Sequence, residues 1–349
     1  MHDNVTTSEK QKKHIATWVY LDSPEERSNF PNNKGNSSSL AFQAVYWRCI
    51  VVFFESSLRF HANDPEIEHI LYTNTSQIPT IDGLDLNQFF KDNHIRVVVL
   101  KNKYPLPQNY FKSFRNQFFE FSIIDHVAAE MQDHDLFLLL DSDCVFARSF
   151  QPLFEAVKQD CAHTMAMDYA ENYQIHGISR LQMKELFHEV GFPIEETPVY
   201  SGGEVLLAKG SFLKTVAKDF PELFEFLMDR NSKGLSKFNE EAHVLSFFYH
   251  REGAKIGVLN NEIKRMWTNR NHYRNITKSD ANLTVWHLPN EKPVGFANSF
   301  KLIASCKRFT SFSDKEYNAF LEDTFLKAKN HPIDLIRYTR ATLKKALKS

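Results

Sequence analysis

Two aspartates, Asp141 and Asp143, stand one residue apart directly after an apolar run. The run, residues 135–140 (DLFLLL), has the composition and length of a buried strand. Two carboxylates at the end of such a strand suit a hard divalent cation, because they offer oxygen ligands at short reach. Mg²⁺ or Mn²⁺ could add water and phosphate oxygens and neutralise a departing diphosphate. The pair therefore predicts a metal or phosphate site. The alternative is a turn carrying two solvated acids, but a turn does not need two mutually repelling carboxylates.

The same pattern also fits a second class of enzyme. Apolar residues followed by Asp-x-Asp-x-Val are typical of haloacid-dehalogenase phosphatases, in which Asp141 would be the phosphoryl nucleophile and Asp143 a general acid/base. Such enzymes need a later acidic pair at a strand end, and the sequence shows no apolar strand ending in such a pair after residue 143. Three predicted strands also precede the motif, whereas those enzymes usually begin with it. A phosphatase is therefore the alternative hypothesis.

Two segments between residues 200 and 245 contain further residues that could contact a ligand. Gly202 and Gly203 lack a Cβ, so they could let backbone N–H groups approach a sugar or a phosphate, or they could form a plain turn. Glu240 and Glu241 begin a predicted helix, where acids also simply stabilise the helix start. Their spacing alone does not select one of the two for a functional role.

A third segment, residues 287–293 (HLPNEKP), offers a histidine and a lysine. The neutral imidazole of His287 could supply a third protein ligand to a Mn²⁺-type ion, although a single histidine is as often a packed surface residue. Lys292 could bind a diphosphate as a point charge.

In this order the motifs resemble those of the GT-A glycosyltransferases. The pattern looks closest to the branch that contains glycogenin and the bacterial lipooligosaccharide galactosyltransferases. The segment at His287 is similar to that branch's His-x-x-Gly-x-x-Lys-Pro, with Asn290 in place of glycine. The resemblance covers roughly residues 14–300 and rests on short motifs in the right order.

The resemblance implies an α/β fold of the GT-A type and transfer of a sugar from a nucleotide-sugar, expected to be a UDP-sugar, to a hydroxyl of a glycan or glycolipid. It implies that Glu240 or Glu241 faces the transferred sugar or the acceptor hydroxyl. It implies retention of the anomeric configuration, whereas either glutamate acting as a general base on the acceptor would invert it. It implies a Mn²⁺ or Mg²⁺ ion held by Asp141, Asp143 and His287. The residues it implies at the nucleotide-sugar are Tyr20, Asp22, Arg115, Asp141, Ser142, Gly202, Gly203 and Lys292. Asp168, Asn172 and His176 would line the sugar or acceptor pocket.

These side chains must be positioned by alternating strands and helices. Apolar strands that alternate with helices indicate a mostly parallel sheet covered on both faces, and ligands bind beyond the carboxyl ends of its strands. Asp22 and Asp141 both follow predicted strands. The predicted strands are residues 14–21, 68–72, 95–100, 135–140, 163–168, 204–208, 255–259 and 284–287. The predicted helices are residues 40–60, 86–92, 111–131, 182–190, 211–226 and 239–249.

Composition sets the remaining expectations. The chain has 349 residues, a formal charge of −1 and four cysteines. A near-neutral charge gives no general attraction to nucleic acid, so we expect no nucleic-acid partner. The cysteines are far apart, which favours a reducing compartment. The polar segment 1–13 lacks the apolar stretch of a signal peptide, so the sequence predicts a cytoplasmic protein.

The composition of the C-terminal segment indicates a role separate from catalysis. We divide the chain into a catalytic domain, residues 14–305, and a helical, basic tail, residues 306–349. Seven basic residues and one acid lie in residues 327–349, and the apolar residues there could share one helical face. Such a helix suits an anionic membrane surface and would place the enzyme peripherally at a membrane, near a lipid-linked acceptor. An ordinary solvated terminal helix is the alternative.

Overall fold

The computed structural model describes residues 10–26, 28, 35–112, 115–269 and 274–327. Its central feature is a mixed β-sheet with the strand order β5-β2-β1-β6-β11-β8. The strands of this sheet are β1 Lys13–Val19, β2 Ile67–Thr73, β5 Ile95–Val99, β6 Leu136–Leu140, β8 Ala162–His163 and β11 Val205–Lys209. Strands β5, β2, β1 and β6 run parallel, and β11 pairs antiparallel with β6. The predicted mostly parallel sheet is confirmed.

Helices cover both faces of this sheet, as predicted. One core forms between the sheet and α1, and a second forms between the sheet and α3, α6 and α7. The helices are α1 Leu40–His61, α2 Leu86–Asp92, α3 Phe119–Glu130, α4 Gln151–Val157, α5 Arg180–Glu189, α6 Gly210–Ser232, α7 Glu241–Arg251, α8 Ala297–Ala304 and α9 Asp314–Leu321. Strand β6 is buried along its whole length, which explains its unbroken apolar sequence.

Several short strands lie outside the main sheet. They are β3 Thr80–Ile81, β4 Leu84–Asp85, β7 Cys144–Phe146, β9 Ala166–Met167, β10 Tyr200–Ser201, β12 Ile263–Arg265 and β13 Val285–His287. Strands β12, β13 and β7 form a second sheet, in which β13 runs antiparallel to β7 and parallel to β12. Because β7 begins directly after the aspartate pair, this second sheet brings the segment around residue 287 to the end of β6.

Several predicted elements differ from the structure. The helix predicted at 111–131 begins only at Phe119, and residues 115–118 form turns. The strand predicted at 255–259 is wrong, because Gly257 adopts φ 83° and a 3-10 helix, Val258–Asn261, follows it. The strand predicted at 163–168 is divided into β8 and β9, which pair in different sheets. The predicted boundaries of the other elements are within a few residues, except that α6 continues to Ser232.

The described part of the C-terminal segment packs on α1 and β7. Arg59 donates hydrogen bonds to the carbonyls of Phe309 and Phe312, at 2.5 and 2.7 Å. The Tyr317 hydroxyl donates to the carbonyl of Phe146 at 2.7 Å. The basic segment that predicts a membrane-binding helix lies, apart from its first residue, outside the described residues. Among the helices of the described ranges, none has the length and apolarity needed to cross a membrane.

Candidate active site

The aspartate pair meets His287 at the junction of the two sheets. Asp141 follows the last residue of β6, and its N–H donates to the carbonyl of Glu204 at 3.1 Å. The register of β13 against β7 places His287 opposite Cys144. The N–H of Leu288 then donates to the carbonyl of Asp143 at 2.9 Å. Backbone hydrogen bonds therefore hold the histidine beside two acids that precede it by more than a hundred residues in sequence.

These three side chains form a cluster that could hold a metal ion. The Nε2 atom of His287 lies 3.4 Å from Oδ2 of Asp141 and 3.4 Å from Oδ2 of Asp143. One ligand atom from each residue falls within 4.8 Å of the others. Asp143 and His287 are buried, whereas the Asp141 side chain is 39% exposed. Two carboxylate oxygens and one imidazole nitrogen suit Mn²⁺ and Mg²⁺, so the donor set fits such an ion.

The close approach of these charges changes their protonation. Desolvation, followed by the charge of Asp143, raises the pKa of Asp141 to about 6. Burial alone would raise the pKa of Asp143, but the charges of Lys292 and His287 outweigh it and hold that pKa well below its usual range. Burial opposes protonation of His287, yet Asp143 and Glu204 outweigh it and raise the pKa of the imidazole to about 9. The cluster is thus a strong site for positive charge.

Lys292 already places one positive charge there. Its ammonium group forms an ion pair with Oδ2 of Asp143, and only 13% of its side chain is exposed. Burial alone would lower the pKa of Lys292, but the Asp143 carboxylate raises it above the usual range. A permanently charged lysine therefore stands beside the aspartate pair.

A cavity of about 170 Å³ opens above the aspartate pair at the carboxyl ends of β1 and β6. Several predicted site residues line it, namely Tyr20, Asp22, Asp141, Ser142, Asp143, Glu241 and Lys292. Trp18, Tyr46, Asn116 and Gln117 also line it and were not predicted. Aromatic faces beside a few polar groups and a cluster of charges are typical of a small-molecule pocket.

Tyr20 and Asp22, which follow β1, form hydrogen bonds with neighbouring groups. The Tyr20 hydroxyl donates to Glu26 at 2.7 Å. The Asp22 carboxylate accepts from the N–H of Ser28 at 2.6 Å and from the Asn116 amide at 2.6 Å. These contacts shape the cavity wall.

Arg115 is turned away from the cavity. Its guanidinium donates to the backbone carbonyls of Glu26 and Leu106, at 2.9 and 3.3 Å, and it is not among the residues that line the cavity. These bonds tie the segment after β1 to the segment before α3.

The two glycines make room for two carboxylates. A Cβ on Gly203 would lie 2.5 Å from Oε1 of Glu241, and a Cβ on Gly202 would overlap the carboxylate of Glu204. Backbone approach to a sugar or a phosphate at these glycines stays a prediction. Each glycine thus leaves the space that an acidic side chain occupies, and a larger residue would displace that carboxylate.

Glu240 and Glu241 point in different directions. Glu241 lines the cavity with Asp141, and its buried Oε2 has no hydrogen-bond partner among the described residues. Burial and the charge of Glu240 raise its pKa well above the usual value. Glu240 instead accepts a hydrogen bond from the Tyr200 hydroxyl at 2.6 Å and lies 3.4 Å from Nε2 of His176. Of the pair, Glu241 is the one that faces the metal cluster.

Two residues beside His287 were missed by sequence analysis. Arg265 binds the buried carboxylate of Glu204 with two hydrogen bonds, of 2.8 and 2.6 Å. In the sequence, Glu204 could have been noticed as a charged residue at the start of an apolar strand, whereas nothing distinguished Arg265 from other basic residues.

Asp168 and Asn172, predicted near the sugar, are exposed.

Comparison with solved structures assigns the fold. The chain is similar to the WbbM bifunctional glycosyltransferase in its apo form, with a TM-score of 0.52, 6% identity, and coverage of 86% of this chain and 52% of that one. The chain has the GT-A fold. It spans about half the length of WbbM, and at this identity the similarity establishes the fold alone.

Two other solved structures show a weaker similarity over most of this GT-A chain. One is the galactosyltransferase LgtC in complex with donor and acceptor sugar analogues, with a TM-score of 0.48, 13% identity, and coverage of 88% and 100%. The other is mouse xyloside xylosyltransferase 1 in its apo form, with a TM-score of 0.45, 11% identity, and coverage of 80% and 98%. No family model and no curated protein matches the sequence.

Proposed function

We propose that this GT-A protein transfers a sugar from a nucleotide-sugar, a UDP-sugar in the first instance, to a hydroxyl of a glycan or glycolipid. The observation that supports this most is the cluster of Asp141, Asp143 and His287 at the edge of a pocket that also contains Lys292. The pocket lies at the carboxyl end of parallel strands, where α/β sheets bind ligands.

Asp141, Asp143 and His287 would hold Mn²⁺ or Mg²⁺ in this proposal. A bound divalent cation supplies Lewis-acid stabilisation of the negative charge on a departing diphosphate. Lys292 adds a fixed positive charge on the same side of the pocket. The aromatic wall formed by Trp18 and Tyr20 accommodates a flat base.

Glu241 is the residue that we place against the transferred sugar. Its carboxyl lines the same pocket as Asp141, and its unpartnered oxygen can bind a sugar hydroxyl. Glu240 is oriented by Tyr200 and lies beside His176, and these three would form the acceptor side. Retention of configuration remains the favoured outcome.

The phosphatase alternative is not favoured. In that class Asp143 would be the general acid/base, but the charges of Lys292 and His287 hold its pKa well below the usual range, so its carboxyl has no proton to donate at neutral pH. Strand β6 also follows three earlier strands of the same sheet in sequence, as the GT-A fold requires.

The test is to screen nucleotide-sugars with Mn²⁺ for thermal stabilisation and slow hydrolysis of the donor. We expect at least one UDP-sugar to stabilise the protein only when Mn²⁺ is present, since ligands that bind the folded state raise its stability. Turnover of an aryl phosphate without any nucleotide, and no stabilisation by any nucleotide-sugar, would favour the phosphatase instead.

Mn²⁺ affinity should depend on pH through His287. Because the pKa of this imidazole is raised to about 9, it is protonated at neutral pH and must lose its proton to bind a metal. We expect the affinity to rise about tenfold per pH unit up to about pH 9. Calorimetry in buffers of different ionisation enthalpy should detect about one proton released per ion near pH 8. Affinity that does not change between pH 6.5 and 8.5 would contradict this expectation.

Gly203→Ala should displace Glu241 without unfolding the protein. The new Cβ would lie 2.5 Å from Oε1 of Glu241, and the end of that side chain is free to move. A displacement of this size costs about 10²-fold in transfer rate. The control is the same change in a Glu241→Ala background, where it should add little to the loss because the displaced group is already gone. An equal loss in both backgrounds would show that Gly203 matters for another reason.

A further inference from the structure

We propose that Glu204 is a positioning residue, which directs one ring nitrogen of His287 toward the metal, and that Arg265 fixes Glu204 for this task. The inference deepens the proposed function and rests on its metal site. Glu204 does not line the cavity and does not belong to the ligand cluster. Its effect would pass through the imidazole.

The Glu204 carboxylate is held ionised inside the protein. Its side chain has no exposed surface, and Arg265 binds it with two parallel hydrogen bonds, to Oε1 at 2.8 Å and to Oε2 at 2.6 Å. A buried carboxylate is costly unless it is paired in this way. The arginine fork also fixes the plane of the carboxylate, because both oxygens are engaged. The Glu204 carboxylate is therefore both charged and held in a single orientation.

The two ring nitrogens of His287 face different carboxylates. Nε2 lies 3.4 Å from the carboxylates of Asp141 and Asp143, and Nδ1 lies 3.4 Å from Oε1 of Glu204. Among the described residues, buried Nδ1 has no hydrogen-bond partner, and the carboxylate that lies within 3.4 Å of it belongs to Glu204, so a small rotation of the ring would let its N–H donate to that anion. An N–H held at Nδ1 leaves the lone pair of a neutral imidazole on Nε2, facing the aspartates.

Strand register and one glycine create this arrangement. Strand β12 pairs with β13 so that Arg265 stands opposite His287. Gly202 leaves the space that the carboxylate fills, since a Cβ there would overlap Glu204. The chain therefore combines a sheet register and a residue without a side chain to bring an anion behind the imidazole.

The test is the dissociation constant for Mn²⁺ alone, measured from the electron paramagnetic resonance signal of the free ion. We expect Glu204→Gln to weaken Mn²⁺ binding by about 10- to 100-fold, the usual effect of losing the group behind a metal-bound histidine. The amide carries no charge to hold the Nδ1 proton, and it leaves the Arg265 charge uncompensated beside a cation site.

A matched control is available at Glu55. This carboxylate is also fully buried and is also bound through both oxygens by one arginine, Arg308 at 2.7 and 2.8 Å, but it lies in α1 against the C-terminal segment. Glu55→Gln should lower thermal stability and leave Mn²⁺ affinity within about twofold. If Glu204→Gln behaves in the same way, Glu204 is only structural and the inference is wrong.

Two further variants keep the result interpretable. The double change Glu204→Gln with Arg265→Gln leaves no unpaired buried charge, so it should fold and still bind Mn²⁺ more weakly than the original chain. In a His287→Ala background, the double change Glu204→Gln with Arg265→Gln should change Mn²⁺ affinity by less than about twofold, because the group through which Glu204 acts is absent and no unpaired arginine charge remains. A full additional loss in that background would overturn the positioning role. If the unsubstituted protein binds no Mn²⁺, the metal site and the proposed function are both wrong.

Discussion

Asp143→Asn is expected to abolish measurable Mn²⁺ binding and to lower the rate of sugar transfer by about 10³-fold, equivalent to about 4 kcal/mol. The physical reason is that Asp143 is the buried anion of the cluster, paired with both His287 and Lys292. The amide has nearly the same shape but no charge to hold a cation. The measurement is donor hydrolysis and transfer at saturating nucleotide-sugar, with Mn²⁺ affinity determined in parallel.

The control for this variant lies at the opposite end of the same strand. Asp135 is also buried and precedes β6, where it accepts hydrogen bonds from the N–H groups of Lys12 and Gln132, both at 2.8 Å. Asp135→Asn should reduce stability without changing Mn²⁺ affinity. Equal losses of activity in the two variants, after correction for the folded fraction, would mean that Asp143 acts through stability.

Lys292→Met should lower the turnover number by about 10²-fold while the protein still binds Mn²⁺. Methionine keeps most of the side-chain volume and removes the charge that lies beside the aspartate pair. A charge that stabilises a leaving diphosphate contributes most when that charge develops, so the turnover number should fall more than the affinity for the donor.

Lys13 provides the comparison for Lys292. It is also paired, with Glu66 at 3.0 Å, and it is more deeply buried than Lys292, but it lies at the start of β1, away from the pocket. Lys13→Met should cost stability and leave the turnover number unchanged. A Lys292 variant that retains the original turnover number would remove this residue from the mechanism.

Residue types and periodicity were enough to predict the architecture. The apolar strand before Asp141 could be recognised because a strand buried on both faces must be apolar throughout. The alternation of such strands with helices then implied a mostly parallel sheet. Helix α2 was predicted at its observed bounds, and the structure shows that Asp85 caps it by accepting from the N–H groups of Asn87 and Gln88.

The short strands could not be predicted in the same way. Strands β7 and β12 have three residues each, too few for a periodic pattern, and their pairing with β13 depends on contacts between distant parts of the chain. These strands carry His287 to the aspartates and Arg265 to Glu204. The motif order therefore predicted the members of the cluster, while the group behind the histidine became visible only in the structure.

The direction of a side chain was equally inaccessible from sequence. Glu240 and Glu241 are adjacent and of the same type, and only the start of α7 at Glu241 determines which one faces the pocket. Arg115 carries a charge suited to a diphosphate, yet it is used to bind two backbone carbonyls. A long polar side chain uses the same donor and acceptor groups whether it binds the protein backbone or a ligand. The residue type therefore does not show which of the two it binds.

The central claim is that Asp141, Asp143 and His287 bind one divalent cation beneath a diphosphate. Anomalous scattering at the manganese absorption edge, from crystals grown with Mn²⁺ and UDP, locates the ion directly. We predict a single strong peak at coordination distance from both carboxylates and from Nε2 of His287, with diphosphate density adjoining it on the side of Lys292. A manganese peak elsewhere, or ordered UDP in the pocket with no metal between its phosphates and the two aspartates, would contradict the claim.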